Sequence, residues 1–206
     1  MNFNAIVAAA GISPPSSFEM RRCPDQYVGE VEAIRAIGAF ASRHPAPTRP
    51  SGPAVIVVLE SPHIQEFVGQ PGPAKGPTGK NIAKFVTLVP GLEATGSLPL
   101  ILVNAVQYQC SLGQGTDQFR DKVFLTAWDE GGREDFARRM RKIYRTGDRL
   151  VCACTKGKMG KACELRALVY AMLLQEFPLA NVLRRTHPSK WNIRRNREYE
   201  WKFGET

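Results

Sequence analysis

The chain has 206 residues, 43% of them hydrophobic, which is enough to bury one sizeable core in a single domain spanning 1–206. Its 28 Lys and Arg outnumber 19 Asp and Glu, and the net charge of +9 favours a polyanionic partner. No apolar run approaches membrane-spanning length, and Met1-Asn2-Phe3-Asn4 opens with neither a basic nor a long apolar segment, so neither a membrane span nor a signal peptide is expected.

The first 28 residues read as an irregular arm broken at Pro14-Pro15. Val31, Ile34, Ile37 and Phe40 mark a helix over 30–42, so residues 1–50 are an arm and a helix packed on the rest. Prolines make 44–53 a connector, with His44 a loop residue. Ala54 to Leu59 is continuously apolar and β-branched, as in a strand covered on both faces. A Gly/Pro-rich loop over 69–80 leads into a helix through Ile82, Phe85 and Val86, with Thr78 as its cap.

Leu98 to Val103, closed by Asn104, is the second strand. Helices over 117–128 and 133–143 break at Gly131-Gly132. Arg149 to Cys154 is the third strand, 162–177 a helix, and Asn181 to Arg185 the fourth strand. Alternating helices and fully apolar strands predict a three-layer α/β/α sandwich around a central, mainly parallel four-stranded sheet. Ligands of such sheets bind beyond the carboxyl ends of the strands, where Glu60, His63, Asn104 and His187 all fall.

Cys23, Cys110, Cys152, Cys154 and Cys163 form no C-x-x-C pair, and buried free thiols in a reducing cytoplasm account for them without a metal or other cofactor. Arg184, Arg185, Lys190, Arg194, Arg195 and Arg197 cluster with no acid among them, as a nucleic-acid grip would. The arginines and lysine over 138–145 read as a solvated helix face. Gly79-Lys80 suggests a phosphate-binding P-loop but fails the pattern, because Asn81 replaces the magnesium-holding hydroxyl and Ala74 the required glycine. The loop and its helix N-terminus still suit a DNA phosphate.

Four short motifs in order resemble the uracil-DNA glycosylase superfamily. Leu59-Glu60-Ser61-Pro62-His63 is similar to its first motif, and Gly72-Pro73-Ala74-Lys75-Gly76-Pro77-Thr78-Gly79 to its glycine loop. Ile101-Leu102-Val103-Asn104 resembles the strand ending in a base-reading asparagine, and His187-Pro188-Ser189-Lys190-Trp191 the closing His-Pro-Ser and its wedge residue. The resemblance covers residues 54 to 192 and implies a glycosylase that flips a base out of DNA and hydrolyses its glycosidic bond, acting as a monomer. It implies that His187 donates a hydrogen bond to the departing base, while Glu60 orients water and offsets the sugar cation. It also places Asn104, His63, Tyr108 and Glu66 around the base, with Gly76, Thr78, Lys80, Arg185, Ser189, Lys190 and Arg194 on the DNA and Trp191 filling the vacated stack.

The chain departs from the family at Ser61, where several branches carry a catalytic Asp or Asn. Ser61 is a poor base, so the water-activating role moves to Glu60, with Glu66 as second choice and a helix-start carboxylate as its structural alternative. His63 stands where the uracil-specific branch blocks the pyrimidine C5 position, and no aromatic platform falls near Thr78-Gly79. Tyr108 replaces a cluster cysteine, so no iron–sulfur cluster is expected. An opened C5 side suits a large substituent, for example glucosylated hydroxymethylcytosine of phage DNA, and the family includes anti-phage enzymes with that preference. The alternatives are repair of uracil or another deaminated base, a catalytically silent DNA-binding module, and a hydrolase of small nucleosides.

Overall fold

The computed structural model describes residues 1–16, 18–40, 42–114, 119–157 and 164–203. In chain order these are α1 (Phe3–Ala9), β1 (Gln26–Glu30), α2 (Val31–Ile37), β2 (His44–Pro45), β3 (Val55–Leu59), α3 (Pro77–Phe85), β4 (Pro99–Asn104), α4 (Arg120–Ala127), α5 (Arg133–Ile143), β5 (Arg149–Cys152), α6 (Leu165–Glu176), β6 (Val182–Arg184) and α7 (Arg194–Glu198).

The sheet has six strands in the order β2-β1-β4-β3-β5-β6. The four expected strands, β3 to β6, pair in parallel. Four was an undercount. β1 adds antiparallel to β4, and the two-residue β2 adds antiparallel to β1. Both come from the stretch expected to be an arm and a connector, so His44 is an edge-strand residue. The arm is also more ordered than expected. Asn2 caps α1, which buries Phe3, Ile6 and Val7.

Every residue of β3 and β4 is buried. Alternate side chains point to opposite faces of a sheet, and two apolar clusters result. Ile56, Val58, Ile101 and Val103 meet Phe124, Phe136 and Leu173 on one face. Val55, Val57, Leu100 and Leu102 meet Val31, Ile82 and Trp191 on the other. Each such side chain contributes about 1.5–3 kcal/mol by leaving water.

The amino ends of β3 and β5 are tied by a buried ion pair. Arg49 Nη1 and Nη2 each reach an Asp148 carboxylate oxygen at 2.9 Å, and Asp148 also accepts from Ala54 N and Arg145 N at 2.8 Å. At the other end Arg139, expected on a solvated face, is only 7% exposed. It bonds Asp25 and the carbonyls of Asn104 and Ala105, so α5 is fixed to the carboxyl end of β4. Between α4 and α5 the chain kinks at Glu130 and Gly131, where the φ of 96° at Gly131 favours glycine.

Candidate active site

The parallel register sets Leu59 beside Asn104 and Val58 beside Cys152, so the segments leaving β3, β4 and β5 emerge side by side. Glu60, the first residue past β3, is 5% exposed. Its Oε2 accepts from the backbone N–H of Thr155, just beyond β5. The chain past β6 brings His187 across, and its Nε2 lies 3.9 Å from Glu60 Oε2. That distance exceeds a hydrogen bond. The carboxylate is therefore not consumed by the imidazole, and both face a cavity of about 330 Å³.

His187 is held from several directions. It precedes a 3₁₀ turn, Pro188–Lys190, and its Nδ1 accepts from the N–H of Ser189 at 3.3 Å, with the Ser189 hydroxyl at 2.9 Å. Asn81 of α3 donates to the carbonyl of Pro188. Trp191 Nε1 donates to the carbonyl of Thr186, and Arg197 donates to the carbonyl of Trp191. A backbone donor on Nδ1 assigns the proton of a neutral ring to Nε2, the nitrogen on the Glu60 side. Burial lowers the pKa of His187; Glu60 opposes that shift, and Arg120 and Lys190 reinforce it. The site thus offers a neutral N–H donor and a carboxylate side by side to one hollow.

Ser61, His63 and Glu66 line the same cavity, as do Gly76 and Thr78 at the start of α3 and Ser189. His63 is exposed, and desolvation lowers its pKa. Gly76, not Thr78, is the N-cap of α3, with Pro77 in the first turn. A side chain on Gly79 would clash with the carbonyl oxygen of Ala74, which fixes the close approach of this loop to its helix. The helix start adds partial positive charge to the cavity rim.

Glu66 is 5% exposed, and its Oε2 accepts from Asn104 Nδ2 at 3.1 Å and faces Cys23 Sγ at 3.5 Å. Burial pushes its pKa up to about 7, against the pull of Asn104 and the backbone N–H groups of His63 and Ala74. It begins no α-helix; it lies within a 3₁₀ turn, Ile64–Phe67. Asn104 is 1% exposed, is not among the cavity-lining residues, and leaves its Oδ1 without a partner. Glu66 holds the Asn104 amide in one orientation, so that amide is not free to turn over for different bases.

Several expected DNA contacts are corrected by burial. Trp191 is 0% exposed and packs in the core with Val57, Ile82 and Val86, so it is no wedge. Its neighbours in sequence are polar, but the indole meets them only through the Thr186 carbonyl and otherwise packs among apolar residues. Arg185 is 4% exposed, donates to the carbonyls of Pro90 and Arg184, and pairs with Glu200. Tyr108 stacks on Phe3 with ring centroids 4.6 Å apart, away from the cavity lining. Lys80 is exposed but borders a separate depression with Arg43 and Lys75. Arg194 is exposed and paired with Glu198, while Lys190 is exposed beside the His187 turn. Cys23, Cys110, Cys152 and Cys154 are buried free thiols, and Cys163 lies outside the described residues. Among the described residues no helix is long and apolar enough to cross a membrane.

Sequence reasoning missed Arg120, Ser111 and Thr155, which also line the cavity. The only trace of Arg120 was an adjacent Arg-Asp pair at the start of a mixed polar and apolar helix. No protein-family model, curated protein or solved structure matches the chain.

Proposed function

We propose that the protein is a DNA glycosylase that hydrolyses the N-glycosidic bond of a flipped-out base and leaves an abasic site. The supporting observation is the 3.9 Å approach of His187 Nε2 to Glu60 Oε2 on one cavity wall. Cleavage of that bond builds a cationic sugar and an anionic base, and the two side chains match these charges in kind. His187 donates Nε2–H to the departing base oxygen. Glu60 offsets the sugar cation, orients water towards C1′ and takes the proton of that water. Ser61 carries no basic role here; as an uncharged hydroxyl on the wall it positions the base. This reading implies helices on both faces of the sheet as a three-layer sandwich, with the site at its carboxyl edge.

A cavity of about 330 Å³ sits at the small end of ligand sites, which run roughly 300–1,000 Å³. It takes one base, not a run of stacked bases. Exposed His63 leaves the edge beside it open, so a substituent on pyrimidine C5, such as a glucosylated hydroxymethyl group, projects past it into solvent. With Trp191 buried, the stacking wedge falls to another residue. Ile64, 48% exposed and next to His63 in the chain, takes that role in this reading. Lys190 and the start of α3 hold the DNA backbone.

The test is incubation of the pure protein with duplexes carrying glucosylated hydroxymethylcytosine, hydroxymethylcytosine or uracil, followed by alkali. Strand breaks at the glucosylated base, lost in Glu60→Gln and His187→Ala, are the expected result. Breaks with uracil alone overturn the modified-base assignment, and intact strands throughout overturn the glycosylase reading.

A further inference from the structure

The most unusual side chain at the site is Arg120, in the first turn of α4. It is 9% exposed and lines the cavity together with His187 and Glu60. Its Nε and Nη2 both lie 2.8 Å from Asp121 Oδ1, which fixes one edge of the guanidinium. The other edge, Nη1, bonds to no described residue. Arg120 lines the cavity, and Nη1 is the edge that Asp121 leaves for a ligand there. A guanidinium largely taken from water with three of its five N–H donors bonded to no described residue costs free energy. Arg49 avoids that cost by bonding Asp148 and the carbonyls of Gly52 and Ile143. Arg120 does not.

Among the described residues that line the cavity, Arg120 carries the one permanent positive charge. His187 is neutral there, since burial lowers its pKa and the charge of Arg120 lowers it further. An imidazole N–H alone therefore donates a hydrogen bond but no net charge to an anion forming in the hollow. Arg120 stays protonated throughout and presents two donors on a planar fork already oriented by Asp121.

Resting on the glycosylase reading above, we propose that Arg120 is a further catalytic residue whose Nη1 edge hydrogen-bonds the base as the glycosidic bond breaks and neutralises the charge that collects on it. The C1′–N electron pair moves onto the base, which leaves as an anion between His187 Nε2–H and Arg120. The oxygen of water bonds to C1′, its proton passes to Glu60, and solvent later carries that proton to the free base. Arg120 itself neither gains nor loses a proton. A DNA phosphate is the other anion a guanidinium takes. The depth of Arg120, on the wall with His187 and not at the exposed rim with Lys190, favours the base.

The test separates rate from binding. Single-turnover excision of the base found in the duplex panel is measured for the parent, Arg120→Met and Arg120→Lys. Duplex affinity is measured in the Glu60→Gln background, where the base stays attached. The expected result for Arg120→Met is an excision rate at saturation about 100-fold lower, with affinity changed less than about threefold. Arg120→Lys keeps the charge without the fork and loses about tenfold, and it decides the matter if Arg120→Met melts too early to assay. A saturating rate that survives in both variants overturns the proposal. So does weaker duplex binding with a gentler salt dependence, the mark of a phosphate contact. Loss of excision in Glu60→Gln and His187→Ala, with Arg120 variants unaffected, removes this role alone. Failure of the parent on every duplex removes the glycosylase reading and Arg120 with it.

Discussion

Two buried arginines at opposite ends of the same sheet make the clearest contrast in this molecule. At the amino ends of β3 and β5, Arg49 meets both oxygens of Asp148, and backbone N–H groups and carbonyls fill most of what remains of the pair. At the carboxyl ends Arg120 is bonded on one edge only, beside a carboxylate and an imidazole that stand 3.9 Å apart over a hollow. The first arrangement has almost nothing left to offer a ligand. The second is held open by its own framework, and that difference separates a structural ion pair from a site.

Breaking the contrast at its functional end gives the largest expected effect. Glu60→Gln and His187→Ala each slow excision by roughly 10²–10⁴-fold in single-turnover assays, with thermal midpoints close to that of the parent. At the structural end the outcome reverses. Asp148→Ala strands Arg49 in the core and costs about 3–5 kcal/mol in denaturant melts, while the folded fraction keeps the parental excision rate. Trp191→Ala sharpens the comparison, because this residue sits next to the site but is wholly buried. It costs about 3–5 kcal/mol of stability. An indole used only to fill the DNA stack would leave the melt unchanged.

The smallest effect concerns Glu66, whose carboxyl is pushed up to about 7 from 4.5 by burial. The folded state then holds this proton more tightly than the unfolded state. Its stabilising contribution is complete below about pH 4.5 and is lost as pH rises towards about pH 7. That loss amounts to about 3 kcal/mol between pH 4 and pH 8. Glu66→Gln removes that slope, which urea melts at the two pH values measure.

The parallel strands were legible because strands covered on both faces must be apolar without interruption, as Val55–Leu59 and 99–103 are. The polar residues that end such runs stand at the ligand-binding edge, so Glu60 and His187 were found before their meeting was seen. The edge strand β2 was not legible, since two residues, His44–Pro45, carry no periodicity. α1 was overlooked although Phe3, Ile6 and Val7 already share a helical face behind a capping Asn2. Trp191 was misplaced because its sequence neighbours are polar while its spatial neighbours, Val57 and Ile82, lie far off in the chain. Arg120 was invisible for a related reason. Only the packing of α4 against the sheet brings its side chain to the strand ends.

The central claim is that Glu60 and His187 act on a common base from one cavity wall. Mass spectrometry of the small molecules released from substrate duplex tests it most directly. The account predicts an intact free base, released one for one with abasic sites by the parent and roughly 10²–10⁴-fold more slowly by Glu60→Gln and His187→Ala. Release of no free base by the parent, or release at equal rates from all three proteins, would contradict it.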